Sequence, residues 1–486
     1  MSSRKYYITA PFHRAASVPH LGHAYSIIAA DIFVRYKRGR GLDAHFLAGT
    51  SVHGERSAKA ASAEGVSAPD WARAAAGRYR ELWRRLNISN DDFLLTSEPR
   101  HAESAVRAFE KLLASGDIYK GLFDGFYCPC CENFYGAGEL SSGGLCPVHS
   151  LAAERVREDV YFFRLSKYAD SLLEHYLENP EFIMPELRAG EMLEIIRAGL
   201  RDVPVSRASA GWGIPAPSGT GQTLLPWWES LLGYVSPAEA FWPADLQFTG
   251  ADGCRRHAIV FPAVLMALAL PLPDRIFVHG AWRMDGKRIS GVSGGGPDTL
   301  ELLREYGSDA LRYFLFRELP FGGDGEFSAA SLRRRYNIEL AGDIAGLVSR
   351  TANMVDLFLG GELPARPPQG GFRLLDFARA AAPGIEARME AMEFSLALDG
   401  IWAVIGEMNR EMSRSKPRVM AESDPAGLKL FLFEMVWCLR MAATWLEPFM
   451  PDAAVRIHCQ LGVRTPSPTE DGGASIAKAP FLFPRR

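Results

Sequence analysis

No segment of this chain is both long and apolar enough to span a bilayer. The longest apolar run, Ala258–Leu272, is broken by Pro262 and Pro271 and falls short of the ~18–20 residues required, so it reads as a buried helix. The start, MSSRKYYITAPF, has no long apolar stretch behind its basic residues, which predicts no secretory leader, no membrane partner and a cytoplasmic protein. Charge excess is missing too: Lys+Arg 54 against Asp+Glu 57 leaves −3, so any polyanion site must be local. There is no convincing internal repeat. Hydrophobic residues at 48% and charged residues at 23% exclude a mainly disordered or fibrous chain. Cysteine is scarce, yet Cys128, Cys130, Cys131 and Cys146 crowd into one short segment of a chain that has only 7. In a cytosolic protein that clustering points to metal before disulfides.

What is present is length enough, at 486 residues, for about three domains. RKYYITA is aromatic and β-branched and meets Pro11, the pattern of a strand running into a loop. His20–Arg38 then places apolar residues at helical spacing and ends on Lys37, Arg38 and Gly39. With a second short strand at Asp43–Gly49, the first residues predict a βαβ unit opening a doubly wound sheet, whose ligands bind at the carboxyl ends of strands. The segment from about Gly116 to Arg188 breaks this rhythm and reads as an inserted subdomain. Strand signals at Asp202–Ser206, Leu246–Thr249 and Arg275–Val278 predict that the sheet resumes. From about Ser328 apolar residues recur at i, i+3 and i+4, which predicts a separate helical domain, with loops at Gly360–Gly371 and Thr465–Gly473.

Pro19-His20-Leu21-Gly22-His23 carries the strongest local chemistry. Two imidazoles flank a glycine where a strand passes into a helix, and helix N-termini attract anions, so the site suits a nucleotide triphosphate. The other reading is a pair of surface or capping histidines. Cys128, Cys131, Cys146 and His149 form a C-x2-C and a C-x2-H pair 14 residues apart, spacing that lets two knuckles share a tetrahedral zinc; a metal-free cluster is the alternative. Four protein ligands would leave no open position, so such a zinc is structural. Trp227, Tyr234 and His257 read by themselves as core packing.

The stretch PHLGHAYSIIAADIFVRYKRGRGLDAHFLAGTSVHGER resembles the nucleotide-binding segment of class I aminoacyl-tRNA synthetases, in particular the methionyl-tRNA synthetase family. The resemblance continues through NISNDDFLLTSEPRHAESA, DVPVSRASAGWGIPAP, FWPADLQFTGADGCRRHAIVFPAVLMALALPLP and EYGSDALRYFLFRELPFGGDGEFS. It implies an α/β fold: a Rossmann-like doubly wound parallel catalytic sheet in two halves (1–115 and 201–327). It adds a zinc-knuckle connective insertion (116–200) and a C-terminal α-helical bundle of the anticodon-binding kind (328–486). It also implies ATP and Mg²⁺, attack of a carboxylate on the α-phosphate, release of pyrophosphate, and acyl transfer to the 3′ end of tRNA. By the same resemblance His20 and His23 stabilise phosphates, and Gly22, Asp252 and Ser290 contact ATP. Phe12, Arg14, Ser51, Trp227, Tyr234 and His257 line the methionine pocket, Cys130 is a spare thiol, and Arg350 and Arg418 face tRNA. Little chain follows about residue 475, which predicts a monomer.

The departures from the family pattern cluster at functional positions. Ser51 stands where the resemblance implies a carboxylate for the substrate ammonium, a partner worth about 1.5–3 kcal/mol. Arg14 replaces a pocket tyrosine. Ala251 replaces the lysine before Asp252, and Gly291 replaces the second lysine of the phosphate-clamping loop, leaving Lys287 and Arg288 as its cations. Gly346 replaces an asparagine and Arg418 a base-stacking tryptophan. The readings left standing are a divergent synthetase for methionine or an analogue, a paralogue that adenylates another carboxylate, and a binding or regulatory homologue.

Overall fold

The aromatic and β-branched start does extend into a strand, β1 (Lys5–Thr9), which is followed by the two-residue β2 (His13–Arg14). The structure is a computed structural model that describes residues 5–148, 150–208, 211–217, 219, 221–236, 240–289, 296–363, 371–463, 476 and 482–486. Helix α1 (Leu21–Gly39) ends on Lys37 and Arg38, cations placed against the negative end of its dipole. Strand β3 (Asp43–Ser51) lies parallel to β1, with Ile8 opposite Phe46, and completes the expected βαβ unit. Ile8, Phe46, Leu47 and Ala48 are fully buried, as a strand covered on both faces requires. Helices α2 (Glu55–Ala63) and α3 (Ala68–Arg85) lead to β4 (Asp92–Leu95), which pairs with β3 before α4 (Pro99–Ala114).

The interruption after α4 is an antiparallel sheet in which β5 (Ile118–Cys128) lies between β6 (Asn133–Tyr135) and β7 (Glu154–Phe163), followed by α5 (Ala169–Glu178). Strand β8 (Ile183–Met184), from inside the segment that reads as an insertion, returns to the parallel sheet, and α6 (Glu186–Arg197) follows it. Asp202–Ser206 does not rejoin that sheet. Instead β9 (Val203–Pro204) pairs antiparallel with β7, and β10 (Ser206–Ala208) pairs with β11 (Gln222–Leu224). Pro204 has no N–H to give a central ladder, which suits this short edge position. Helix α7 (Pro226–Leu232), β12 (Leu246–Gly250), α8 (Phe261–Ala267) and β13 (Ile276–His279) complete the layer. The sheet runs β2-β3-β1-β12-β13-β8, with β4 also on β3 and every pair parallel. Chain order reverses between β1 and β12, which places the ligand crevice beyond their carboxyl ends.

The chain forms two compact units, Met1–Thr299 and Leu300–Arg486. Among the described residues the second is helical almost throughout. Phe394–Arg414 buries Leu398, Ile401, Ile405 and Met408 on one face, against Arg373–Glu390 and Pro425–Leu446. Each such side chain contributes about 1.5–3 kcal/mol when removed from water. Gly346–Leu359 ends on Gly360 at φ 64°, the left-handed cap glycine accepts without strain. Of the loops expected here, 364–370 and all of Thr465–Gly473 lie outside the described residues. No helix of the described residues is long and apolar enough to cross a membrane.

Two glycines decide where the crevice wall stands. A Cβ on Gly49 would lie 2.6 Å from the Phe12 ring and 2.8 Å from the Leu94 carbonyl, and one on Gly233 would lie 2.4 Å from the same ring. Phe12 is thereby held between β3 and the turn after α7. Gly49→Ala is expected to destabilise the chain by about 1–3 kcal/mol, because neither a packed ring nor a strand backbone can yield; thermal unfolding of the two proteins measures it.

Candidate active site and metal centre

Helix α1 starts on a histidine cap. His20 has extended backbone (φ −140°, ψ 173°), and its Nδ1 accepts the Gly22 N–H at 3.1 Å. In return, His23 Nδ1 accepts the His20 N–H at 3.3 Å. Burial lowers the His20 pKa to about 4 and carries that of His23 well below its ordinary value. Both rings are therefore neutral near pH 7, and because each Nδ1 is an acceptor, each hydrogen sits on Nε2. The pair is a set of neutral donors beside the free amides of a helix start, suited to a polyanion without an added cation. The rings stack at 3.7 Å, and the His13 ring lies tilted against His23 at 4.3 Å.

The strand ends opposite supply the rest of the crevice. Asp252, just past β12, meets the Arg288 guanidinium at 3.0 Å with both side chains about half exposed. Arg288 and Lys287 form one side of a hairpin with Arg283 and Met284, turned by Asp285 and Gly286 at φ 53° and 73°. The chain passes on beside α1: a Cβ on Gly22 would lie 3.5 Å from the Ile289 carbonyl. At the end of β13, His279 Nε2 accepts from the Ser26 hydroxyl at 2.7 Å and its Nδ1–H donates to Gly280, tying the strand to α1. Ser290 and Gly291 lie outside the described residues.

Beyond β1, three rings enclose an apolar corner. Phe12 packs on Tyr234 with ring centroids 4.5 Å apart, and Tyr234 lies 5.6 Å from His257. The Phe12 N–H donates to the Tyr234 oxygen at 3.3 Å, the hydroxyl donates to His257 Nε2 at 3.1 Å, and His257 Nδ1–H donates to the Gly253 carbonyl at 2.9 Å. Burial lowers the His257 pKa to about 4, so this relay is neutral. Trp227 is buried under the Arg256 guanidinium at 4.9 Å. The corner can hold a soft, polarisable side chain. Ser51 is buried in register with Arg14. The Arg14 guanidinium turns the other way, to Glu132 at 3.0 Å and to the carbonyls of Cys131 and Cys130 at 2.8 and 3.3 Å. Glu132 also accepts the Arg56 N–H at 3.3 Å, so a 2% exposed carboxylate has its charge matched.

Cys128, Cys131 and Cys146 are buried with all three sulfurs within 4.8 Å of one another, and Cys131 and Cys146 are 3.7 Å apart. Ligands of a tetrahedral zinc with ~2.3 Å bonds stand about 3.8 Å from each other, so the thiols fit that ion. Cys130 stays outside the group, and His149 lies outside the described residues. In the second unit, Arg350 donates to Asn409 at 2.6 Å on the wall of a hollow of about 450 Å³ that Asp343 and Arg485 also line. Arg418 is exposed on the short helix Pro417–Ser423.

Sequence reasoning missed three groups here. His13, Glu132 and the buried Glu229, which bridges His53 and His101, carry no local motif. Only the histidine in Ser51-Val52-His53-Gly54 offered a signal.

A parallel sheet with an imidazole-capped first crossover helix, a basic hairpin past its last strands and a cysteine knuckle is the arrangement of a class I tRNA synthetase. The family model described as tRNA synthetases class I (M) matches residues 6–159 and 144–352. The chain belongs to the methionyl-tRNA synthetase family. It is 36% identical to the methionine–tRNA ligase of Caldanaerobacter subterraneus, covering 99% of this chain and 79% of that protein. It is also 36% identical to that of Halalkalibacterium halodurans, over 99% and 78%. Among solved structures, Mycobacterium tuberculosis methionyl-tRNA synthetase in complex with methionyl-adenylate superposes with a TM-score of 0.93 at 33% identity, covering 99% of this chain and 100% of that one. The chain is accordingly a ligase of the class I aminoacyl-tRNA synthetase type.

If the two Nε2–H groups steady phosphate charge as it develops, His20→Ala lowers the rate of adenylate formation about 10²–10³-fold. Loss of the cap costs about 1 kcal/mol in addition. Single-turnover kinetics alongside a thermal melt separates the two effects.

Proposed function

We propose that this protein uses ATP to activate methionine, or a close analogue, as an aminoacyl-adenylate and transfers it to tRNA. The observation that carries the reading is the joining, across one switch point, of an anion-binding helix start to a neutral aromatic corner built of Phe12, Tyr234 and His257. In this reading His20, His23 and the amides around Gly22 hold the triphosphate, while Asp252 holds the ribose once Arg288 releases it. Lys287 and Arg288 take the place of the lysine absent at Gly291, with Ser290 beside them. The carboxylate of the amino acid then attacks the α-phosphate in line, and the charge gathering on pyrophosphate is met by fixed donors that need no rearrangement. Mg²⁺, when bound, would supply further neutralisation of the triphosphate charge. The aromatic corner takes the thioether.

Ser51 and Arg418 mark this as a divergent member: the first lowers the charge available to a substrate ammonium, and the second exchanges a flat ring for a guanidinium at the tRNA side. Arg350 remains, beside Arg485, as a cation of the hollow proposed to bind tRNA. Pyrophosphate exchange across a panel of amino acids tests the reading. Methionine or a thioether analogue is expected to support exchange, and the charged product is expected to fall when the CAU anticodon of the acceptor is altered. A folded sample that exchanges with no amino acid overturns it.

The knuckle is proposed to hold a structural zinc through Cys128, Cys131, Cys146 and His149, because three buried sulfurs already converge within 4.8 Å of one another, with Cys131 and Cys146 at 3.7 Å, close to the separation that ion imposes. Cys131→Ser is expected to lose the zinc found by elemental analysis and to lower the thermal midpoint. Equal metal content in the two proteins would remove the assignment.

A further inference from the structure

The pocket proposed above needs acceptors for the three N–H donors of an amino acid's α-ammonium, and its named residues supply no uncommitted charged one. Ser51 offers a hydroxyl. The Tyr234 hydroxyl and both nitrogens of His257 are already joined in one hydrogen-bonded relay. The carboxylate of Glu132 is engaged on both oxygens, by Arg14 and by the Arg56 amide.

One group with an unused acceptor stands beside them. His53 follows Ser51 by two residues at the end of β3, and its Nδ1 lies 3.1 Å from Oε1 of Glu229. Glu229 lies on α7, the helix that also carries Trp227, so the contact ties that helix to the chain just past β3. The other oxygen, Oε2, lies 2.5 Å from His101 Nε2, and His101 Nδ1 is 3.3 Å from the Ser236 hydroxyl. Burial pushes the Glu229 carboxyl up, but the hydrogen bonds from His101 and His53 more than offset it and the pKa lies below its ordinary value. An ionised carboxylate only accepts, so His53 Nδ1 carries a hydrogen, and in the neutral ring Nε2 presents its lone pair. Trp212 packs on the ring at 5.0 Å and fixes its plane. Nε2 makes no hydrogen bond to any described residue. A fully buried carboxylate thus orients an imidazole that is hydrogen-bonded on one side and open on the other.

We propose that His53, oriented by Glu229, accepts the hydrogen bond from the α-ammonium of the amino acid bound against Trp227, Tyr234 and His257. The inference rests on the reading that this chain activates an amino acid. It makes His53 the residue that selects α-amino acids over their desamino counterparts.

His53→Asn is the informative variant, because the amide can still donate to Glu229 from the position of Nδ1 while the Nε2 acceptor is gone. The KM for methionine in pyrophosphate exchange is expected to rise about ten-fold or more, with the KM for ATP unchanged. A purely structural role would not alter one ratio: that between the inhibition constants of methioninol and of 4-(methylthio)butan-1-ol, which lacks the amine. The wild type is expected to favour methioninol, and the variant to lose at least ten-fold of that preference. The unaltered protein gives a second test that does not depend on a folded variant: methioninol should shift the ¹⁵N resonance of His53 Nε2 away from its lone-pair position. An unchanged ratio, or an Nε2 resonance unmoved by saturating methioninol, overturns the assignment of His53 while leaving methionine activation intact. Failure of methioninol to bind and of every amino acid to support exchange overturns both together.

Discussion

The reciprocal hydrogen bonds at the start of α1 set three properties of this molecule together. They fix where the helix begins, they fix the tautomers of His20 and His23, and they leave both Nε2–H groups facing away from the backbone they cap. An ordinary serine or aspartate cap would perform only the first task. Burial makes the arrangement consistent, because a protonated imidazole could not accept from a backbone amide. The same low pKa that keeps these rings out of acid–base chemistry near neutrality preserves their geometry as donors.

The buried charges are handled by a different rule. Glu132 and Glu229 are almost wholly removed from water, and each is met by donors from distant parts of the chain. Taking a carboxylate out of water costs several kcal/mol unless its oxygens are satisfied, so each site is held by all its partners or not at all. The two carboxylates join different parts of the chain around the end of β3. Glu132 joins the knuckle to β2 and to the start of α2, and Glu229 joins α7 to β3 and α4. Position and charge at the crevice are therefore one problem, solved by the same side chains.

These partnerships also decide what could be read from the sequence. The βαβ opening, the histidine pair and the cysteine cluster were legible because each is written in nearly contiguous residues. The aromatic corner and the clamp hairpin were placed through family resemblance. Glu132 and Glu229 were illegible because their partners lie 118 and 176 residues away, and only the closed sheet brings them together. Strand β8 was missed for a related reason: its two residues carry no alternation of their own, and pairing with β13 alone makes them a strand. The assignment of Asp202–Ser206 to the main sheet erred by treating β-branched composition as a destination, when Pro204 already excluded a central ladder position.

Arg14 shows how these levels meet. As a bare substitution it brings a cation toward a pocket that would receive an ammonium, which reads as repulsion. In the folded chain the guanidinium is drawn off the crevice by Glu132 and by two carbonyls of the cysteine loop, so its charge is offset within the protein. That arrangement needs the carbonyls of Cys130 and Cys131 in place, and the loop that presents them is shaped by the sulfurs of Cys128 and Cys131 converging with Cys146. The cysteine knuckle and β2 are thus mechanically continuous through one side chain. An insertion far from the sheet in sequence takes part in setting the electrostatics at the end of β3.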